Sequence, residues 1–105
     1  MRMWMVPTRK MCRRHLLGEH VEIHMAVASL RLGKSLAGFI RNGLLELGSL
    51  RRRHDELARE MLRRGYRHQS PLGRLRASSA GRVNRRRSAA ELAARCPACR
   101  RALRP

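Results

Sequence analysis

Negative charge is the scarcest property of this sequence. Its 105 residues carry 7 Asp and Glu against 25 Lys and Arg, which gives a formal net charge of +18. Such an excess opposes compaction by self-repulsion, so an anionic partner is expected to neutralise it. The cations are 23 Arg and only 2 Lys. A GC-rich coding sequence alone favours Arg over Lys, but the planar guanidinium also pairs bidentately with phosphate, which favours a nucleic-acid backbone.

Long apolar runs are missing as well. No stretch approaches the roughly 20 apolar residues of a membrane-spanning helix. Residues 1–7 are apolar but too short for a secretory signal peptide. We therefore expect a cytoplasmic protein with no membrane partner. In that reducing compartment the three cysteines are expected to be free thiols or metal ligands rather than disulfides.

The pattern of apolar residues is helical, and almost no strand-like alternation is visible, so the predicted fold class is all-α. The first predicted helix runs from about residue 9 to Arg31 and is closed by Gly33. Further helices are predicted at residues 35–42 and from Ser49 to Arg64. The expected buried positions of the two longer helices are Leu16, Ile23, Val27 and Leu30 in one and Leu50, Leu57, Met61 and Leu62 in the other.

The C-terminal third differs in composition from the rest. Residues 67–105 contain eleven Arg and one acid, and the helical pattern disappears between residues 67 and 87. We predict a small helical domain over residues 1–72 and a basic, partly flexible arm with a short terminal helix over residues 73–105. The capping-box sequence Ser88-Ala89-Ala90-Glu91 predicts that this helix starts at Ser88, and Pro97 is expected to stop or kink it.

Ionisable side chains concentrate in one short stretch, CRRHLLGEHVEIH, at residues 12–24. At about 100° per residue, His15, Glu19 and Glu22 fall within roughly 60° of one another beside the apolar stripe. Such a position is neither fully buried nor freely solvated, as the edge of an active site should be. Glu22 is the leading candidate for a catalytic carboxylate, whereas Glu19 is expected to form an ion pair that orients an Arg.

Three blocks of the sequence resemble the pyrimidine-dimer DNA glycosylase family, also called endonuclease V-type excision enzymes. The first block comprises MRMW at residues 1–4 and CRRHLLGEHVE at residues 12–22. The second is GKSLAGFI with NGL at residues 33–44. The third begins with RHDEL and continues through RGY and SPL over residues 53–72.

The resemblance implies a compact helical domain whose N-terminus inserts among the helices. It also implies a DNA glycosylase and apurinic/apyrimidinic lyase that uses its N-terminal α-amine as the nucleophile. The amine attacks C1′ of the damaged nucleotide and displaces the base, and the resulting imine permits β-elimination, which nicks the strand. A carboxylate seven residues after a His supports both steps. In this sequence the matching residues are Glu22 and His15, and no cofactor is required.

The nucleophile is expected to be the α-amine of Met1. The reference pKa of an α-amine is near 7.7–8.0, so a useful fraction is neutral at about pH 7. Arg2 is too bulky for ordinary removal of the initiator Met, and the separation from Met1 to His15 matches the separation in the best-known family member. That member has basic residues on both sides of its catalytic Glu, where this chain has Val21 and Met25.

Double-stranded DNA with damaged bases is therefore the expected partner, bound by a monomer. The residues expected to contact phosphate are Arg2, Arg13, Arg14, Lys34, Arg51, Arg52, Arg53, Arg85, Arg86 and Arg87. Such contacts predict steep salt dependence of binding.

Metal binding is the main alternative for the remaining His and Cys residues. Cys96 and Cys99 form one Cys-x-x-Cys motif, and a structural zinc would need two further ligands, such as Cys12 and a His like His68. His20 and His24, four apart on one helix face, could also share a metal. The default is free thiols and no metal. The competing function is a non-catalytic basic nucleic-acid-binding protein, with or without a structural zinc.

Overall fold

Helices and connecting loops account for the whole of the described chain. A computed structural model describes residues 1–68 and 70–104. Among these residues there is no strand, which confirms the all-α fold class. The α-helices are α1 (Arg13–Arg31), α2 (Ala37–Arg41), α3 (Leu50–Arg63), α4 (Arg85–Arg95) and α5 (Pro97–Leu103), with short 3-10 turns at Thr8–Lys10 and Leu47–Ser49. No helix in these two ranges has the length and apolar character needed to cross a membrane.

The two longest helices, α1 and α3, pack against each other. Their apolar residues recur at helical spacing, and burying them stabilises the pair by the hydrophobic effect. The predicted face is confirmed for Leu16, Ile23 and Val27 in α1 and for Leu50, Leu57 and Met61 in α3. The prediction is wrong for Leu62, which is 59% exposed. Gly33 follows the end of α1 with a φ of 70°, a left-handed conformation suited to glycine.

The N-terminal segment runs through the interior. Met3, Trp4, Met5 and Val6 are all buried. The backbone N–H of Met3 donates to the carbonyl of Leu44 at 2.8 Å. This burial fixes the path of the first residues, so the position of the N-terminus is set by core packing.

The C-terminal third joins the same core. Leu72, Val83, Leu92 and Cys99, which lie on both sides of the predicted boundary at residue 72, belong to one apolar cluster with Met3 and Trp4. The described residues between α3 and α4, 64–68 and 70–84, contain no helix, as predicted, but the side chain of Arg31 donates to the backbone carbonyl of Leu72 at 2.9 Å.

The start of the last helical region differs from the prediction. Helix α4 begins at Arg85, not at Ser88, because the side chain of Asn84 caps it by accepting from the backbone N–H of Arg87 at 2.9 Å. Ser88 lies inside the helix, where its hydroxyl donates to the carbonyl of Trp4. Pro97 ends one helix and occupies the first turn of the next, as expected of proline.

Candidate active site and nucleic-acid interface

The N-terminus lies beside Glu22 on helix α1. Burial is the largest influence on this carboxyl and raises its pKa, and the charge of Glu19 raises it further. The positive charge of the N-terminal amine and the backbone N–H of Arg2 act in the opposite direction, but the net pKa of Glu22 is raised. A carboxyl with a raised pKa exchanges protons closer to neutral pH, which suits a general acid or base.

Glu22 opens onto a cleft of about 470 Å³. The cleft is formed by the first half of α1 and by the buried N-terminal segment. Its lining comprises Trp4, Arg14, His15, Leu17, Gly18, Glu19, Val21 and Glu22. Val21 is 55% exposed. The structure therefore places the candidate carboxylate in a partly desolvated recess, with a cation, Arg14, in the same lining.

The carboxylate of Glu19 forms a buried ion pair with Arg53. It is 1% exposed, and Arg53, which is 2% exposed, reaches it from α3. The Nε and Nη2 atoms of Arg53 donate to the two carboxylate oxygens at 2.6 and 3.0 Å. This pair joins α1 to α3. It agrees with the expectation that Glu19 orients an Arg, and it corrects the expectation that Arg53 contacts phosphate, because the guanidinium is buried and paired.

His15 lines the cleft, but its Nδ1 atom points to sulfur. It lies 3.2 Å from Sγ of Cys12 and 3.7 Å from Sγ of Cys99. Its ring packs edge-on against Trp4, with centroids 5.9 Å apart. The ligand-capable atoms of Cys12, His15, Cys96 and Cys99 all lie within 4.8 Å of one another. The sequence suggested His68 as a fourth member of such a group, whereas the structure supplies His15.

A second cluster consists of imidazoles. The ligand-capable atoms of His20, His54 and His68 lie within 4.8 Å of one another, and the Nε2 atoms of His20 and His68 are 2.9 Å apart. The His24 ring lies 4.7 Å from that of His20. Burial, followed by the neighbouring His24, His54 and His68, lowers the pKa of His20 to about 4. Sequence reasoning considered only the pair on α1, because nothing in the spacing links it to His54 and His68.

The N-terminal part of the chain is similar to one known family. The family model described as pyrimidine dimer DNA glycosylase matches residues 1–73. The chain belongs to this family. No curated protein and no solved structure gives a significant match to the chain. Membership makes the protein a DNA repair glycosylase, and the matched residues include both Met1 and Glu22.

A glycosylase of this family must hold damaged DNA, and most of the cations expected to do so are on the surface. Arg2 is half-buried: its guanidinium lies 3.8 Å above the Trp4 ring and pairs with Glu91. Arg85 donates to Glu46 at 3.1 Å, and Arg87 to Glu91 at the same distance. The exposed members of the expected set are Arg13, Arg14, Lys34, Arg51, Arg52, Arg85, Arg86 and Arg87.

A basic cleft of about 520 Å³ adjoins the N-terminus of the glycosylase. Arg41 and Arg82, which were absent from the expected set, line it together with Arg2 and Arg87. Both are exposed. They stand alone in the sequence, outside any run of Arg, so only the fold brings them together. The backbone N–H of Arg2 acts to lower the pKa of Glu22, and Arg2 also lines this cleft. Arg2 therefore lies between the candidate active site and the other arginines of the cleft.

Proposed function

We propose that the protein removes a damaged pyrimidine from duplex DNA and then nicks the strand as an apurinic/apyrimidinic lyase. Met1 supplies the nucleophile and Glu22 the proton-transfer group. The observation that carries this proposal is the cleft that Glu22 shares with Trp4, three residues after Met1, where the charge of the N-terminal amine acts on the partly buried Glu22 carboxyl. Membership of a DNA glycosylase family supports it. The substrate class is a cyclobutane-type pyrimidine dimer, and the protein acts as a cytoplasmic monomer on DNA.

The chemistry needs a neutral amine. Its lone pair forms a bond to C1′ as the glycosidic bond breaks, and the departing base takes the bonding electrons and a proton. Opening of the sugar ring then gives a protonated imine, with the ring oxygen protonated as a hydroxyl. In this proposal the Glu22 carboxylate stabilises the positive sugar, accepts a proton from the attacking amine and returns that proton to the ring oxygen as the sugar opens.

The lyase step follows from the same imine. A base removes a proton from C2′, and the electrons shift to expel the 3′ phosphate oxygen, so the C3′–O bond breaks and the strand is nicked. Water then hydrolyses the imine and regenerates the Met1 amine. Glu22 suits the proton removal because burial raises its pKa and its carboxylate faces the cleft. The amine needs no metal to perform these steps.

In this proposal arginines bind the DNA, and the residues that flank Glu22 on α1 do not. Val21 and Met25 flank Glu22 on α1 and are 55% and 50% exposed, so two apolar side chains occupy the surface beside the carboxylate. Arg14 in the same cleft, and Arg41 and Arg82 in the adjoining one, provide cations within this region. We propose that these three residues hold the phosphates around the extruded nucleotide.

The test compares Glu22→Gln with Glu56→Gln, which makes the same chemical change at a carboxylate on α3 whose side chain is 41% exposed. Nicking of duplex DNA that contains a pyrimidine dimer, and of DNA that contains an abasic site, is measured alongside binding. Glu22→Gln is expected to slow nicking by about 100-fold or more with little change in binding. Unchanged nicking in Glu22→Gln, or equal losses in both variants, would remove Glu22 from the mechanism.

A further inference from the structure

Four metal-binding side chains converge from opposite ends of the chain. Cys12 and His15 stand at the start of α1, in a Cys-x-x-His arrangement. Cys96 and Cys99 stand at the start of α5, in a Cys-x-x-Cys arrangement, and their ligand atoms lie within 4.8 Å of those of the first pair. Residues separated by more than 80 positions thus meet at one point, where each contributes one soft or borderline donor atom.

The distances between these atoms match those of a tetrahedral zinc site. Zinc binds thiolate sulfur at about 2.3 Å and imidazole nitrogen at about 2.0–2.1 Å, which places two sulfurs about 3.8 Å apart and a sulfur and a nitrogen about 3.6 Å apart. The Sγ atoms of Cys12 and Cys96 are 3.9 Å apart. The His15 Nδ1 atom lies 3.2 and 3.7 Å from the sulfurs of Cys12 and Cys99. A disulfide would require sulfurs about 2.05 Å apart.

The surrounding backbone also favours metal-bound sulfur. The N–H of Cys12 donates to Sγ of Cys99 at 3.3 Å, and the N–H of Cys99 donates to Sγ of Cys96 at 3.4 Å. Hydrogen bonds of this kind to ligand sulfurs orient them and offset part of their negative charge. Cys99 is completely buried, so its sulfur is shielded from solvent.

We propose that Cys12, His15, Cys96 and Cys99 form a structural zinc site with three thiolate ligands and one imidazole. All four positions are filled by protein, which is the arrangement of a structural rather than a catalytic zinc. The family match covers Cys12 and His15 but ends at residue 73, before Cys96 and Cys99. The zinc therefore fastens a C-terminal extension to the family domain.

The zinc site stabilises the fold around the N-terminus. Helix α5 has 7 residues, too few for an isolated helix to be stable in water. The zinc holds it against the start of α1, beside the Trp4 ring that packs on His15. Trp4 and the preceding residues set the position of the α-amine. Loss of zinc is therefore expected to loosen the C-terminal helices first and the N-terminal segment with them.

The first test uses the full wild-type chain purified without added chelator. Elemental analysis is expected to find about one zinc per chain. After removal of zinc and addition of Co²⁺, the spectrum should show thiolate-to-cobalt charge transfer in the near ultraviolet and strong tetrahedral d–d bands in the visible. Removing the metal should lower the melting temperature by about 10 °C or more, and zinc should restore it.

Two variants separate this site from the imidazole cluster. Cys96→Ser should lower zinc affinity more than about 100-fold, whereas His68→Gln should keep the zinc and the cobalt spectrum. The proposal is overturned if purified protein holds no zinc and Co²⁺ gives no thiolate charge transfer, or if Cys12 and Cys96 form a disulfide instead. Metal that is lost in His68→Gln and retained in Cys96→Ser would also overturn it. If Cys96→Ser does not fold, the wild-type spectrum decides.

Discussion

Arg53 on α3 donates two hydrogen bonds to Glu19 on α1, at 2.6 and 3.0 Å, in the interior of the molecule. Removing one member of a buried ion pair leaves an uncompensated charge, which is strongly destabilising. Arg53→Ala is therefore expected to lower the free energy of unfolding by about 3–5 kcal/mol, measured by urea denaturation. Arg52→Ala, at an exposed neighbouring position, should change it by less than about 0.5 kcal/mol. Similar effects of the two changes would contradict the structural role of Arg53.

The basic cleft next to Arg2 should determine the salt dependence of DNA binding. Arg41→Ala and Arg82→Ala should each weaken binding to any duplex and reduce the slope of log K against log salt by about 1. Arg59→Ala provides the control, since Arg59 is exposed on α3 but does not line that cleft. A titration at several salt concentrations checks this. Equal slopes for wild type and both cleft variants would show that phosphates bind elsewhere.

The imidazole cluster should make folding stability depend on pH. The pKa of His20 is about 4 in the folded chain, because of burial and the neighbouring histidines, and a reference His is near 6.5 when unfolded. The unfolded state therefore binds more protons between these values, so stability is full above about pH 6.5 and falls as the pH drops toward 4. Urea denaturation at pH 7 and pH 5 measures this loss, which should be smaller in His20→Gln. An equal loss in the variant would assign it to other groups.

A second acid-sensitive step involves Glu46. Burial opposes its ionisation, but hydrogen bonds from Arg85, Ser49 and the backbone of Val83 outweigh burial and lower the pKa of Glu46 to about 2. Its contribution to stability is thus present above the unfolded pKa near 4.3 and is lost as the pH falls toward 2. Glu46→Gln should flatten the stability curve below about pH 4.5 and leave the step between pH 7 and 5 intact. Unfolding curves between pH 7 and pH 2 measure both steps. If Glu46→Gln leaves the loss of stability below about pH 4.5 unchanged, that loss does not come from Glu46.

Gly81 is expected to tolerate no side chain. Its φ is 85°, and an added Cβ would lie 2.2 Å from the carbonyl oxygen of Leu45. Gly81→Ala should therefore lower stability by about 2 kcal/mol or more through strain and displacement of the backbone. Gly38 on α2 is the control, since nothing lies within 4 Å of its added Cβ and Ala favours a helix by about 0.5–1 kcal/mol. Thermal unfolding of both variants measures the contrast, and equal melting temperatures would refute it.

Sequence reasoning predicted the helical fold well where local signals were strong. The 3.6-residue period located the buried faces of α1 and α3, glycine marked the end of α1, and Pro97 marked a helix break. It placed the start of α4 at Ser88, because the capping box there is a stronger pattern than the single Asn84 that actually caps the helix. Leu62 was assigned to the buried face although it lies about 100° further round the helix than the buried Met61, and it is 59% exposed.

Local sequence patterns predict only part of the candidate sites. Glu22 and Met1 could be nominated from their spacing and from the resemblance to a family, and in the fold the charge of the N-terminal amine acts on the Glu22 carboxyl. No spacing rule predicts that Cys12 and His15 meet Cys96 and Cys99, or that Arg41 and Arg82 share a cleft. The burial of Arg53 depends on the direction in which α3 faces α1, which a run of three arginines does not encode.

The α-amine of Met1 is the group that we propose forms the imine with the sugar. The chain has only two other candidate amines, on Lys10 and Lys34, so Lys10→Arg and Lys34→Arg can be combined to leave Met1 alone. This double variant is incubated with abasic-site DNA and borohydride, and the trapped peptide is identified by mass spectrometry. We expect undiminished trapping, with the sugar attached to the Met1 nitrogen. Loss of trapping in the double variant, or an adduct on a lysine in the wild type, would contradict it.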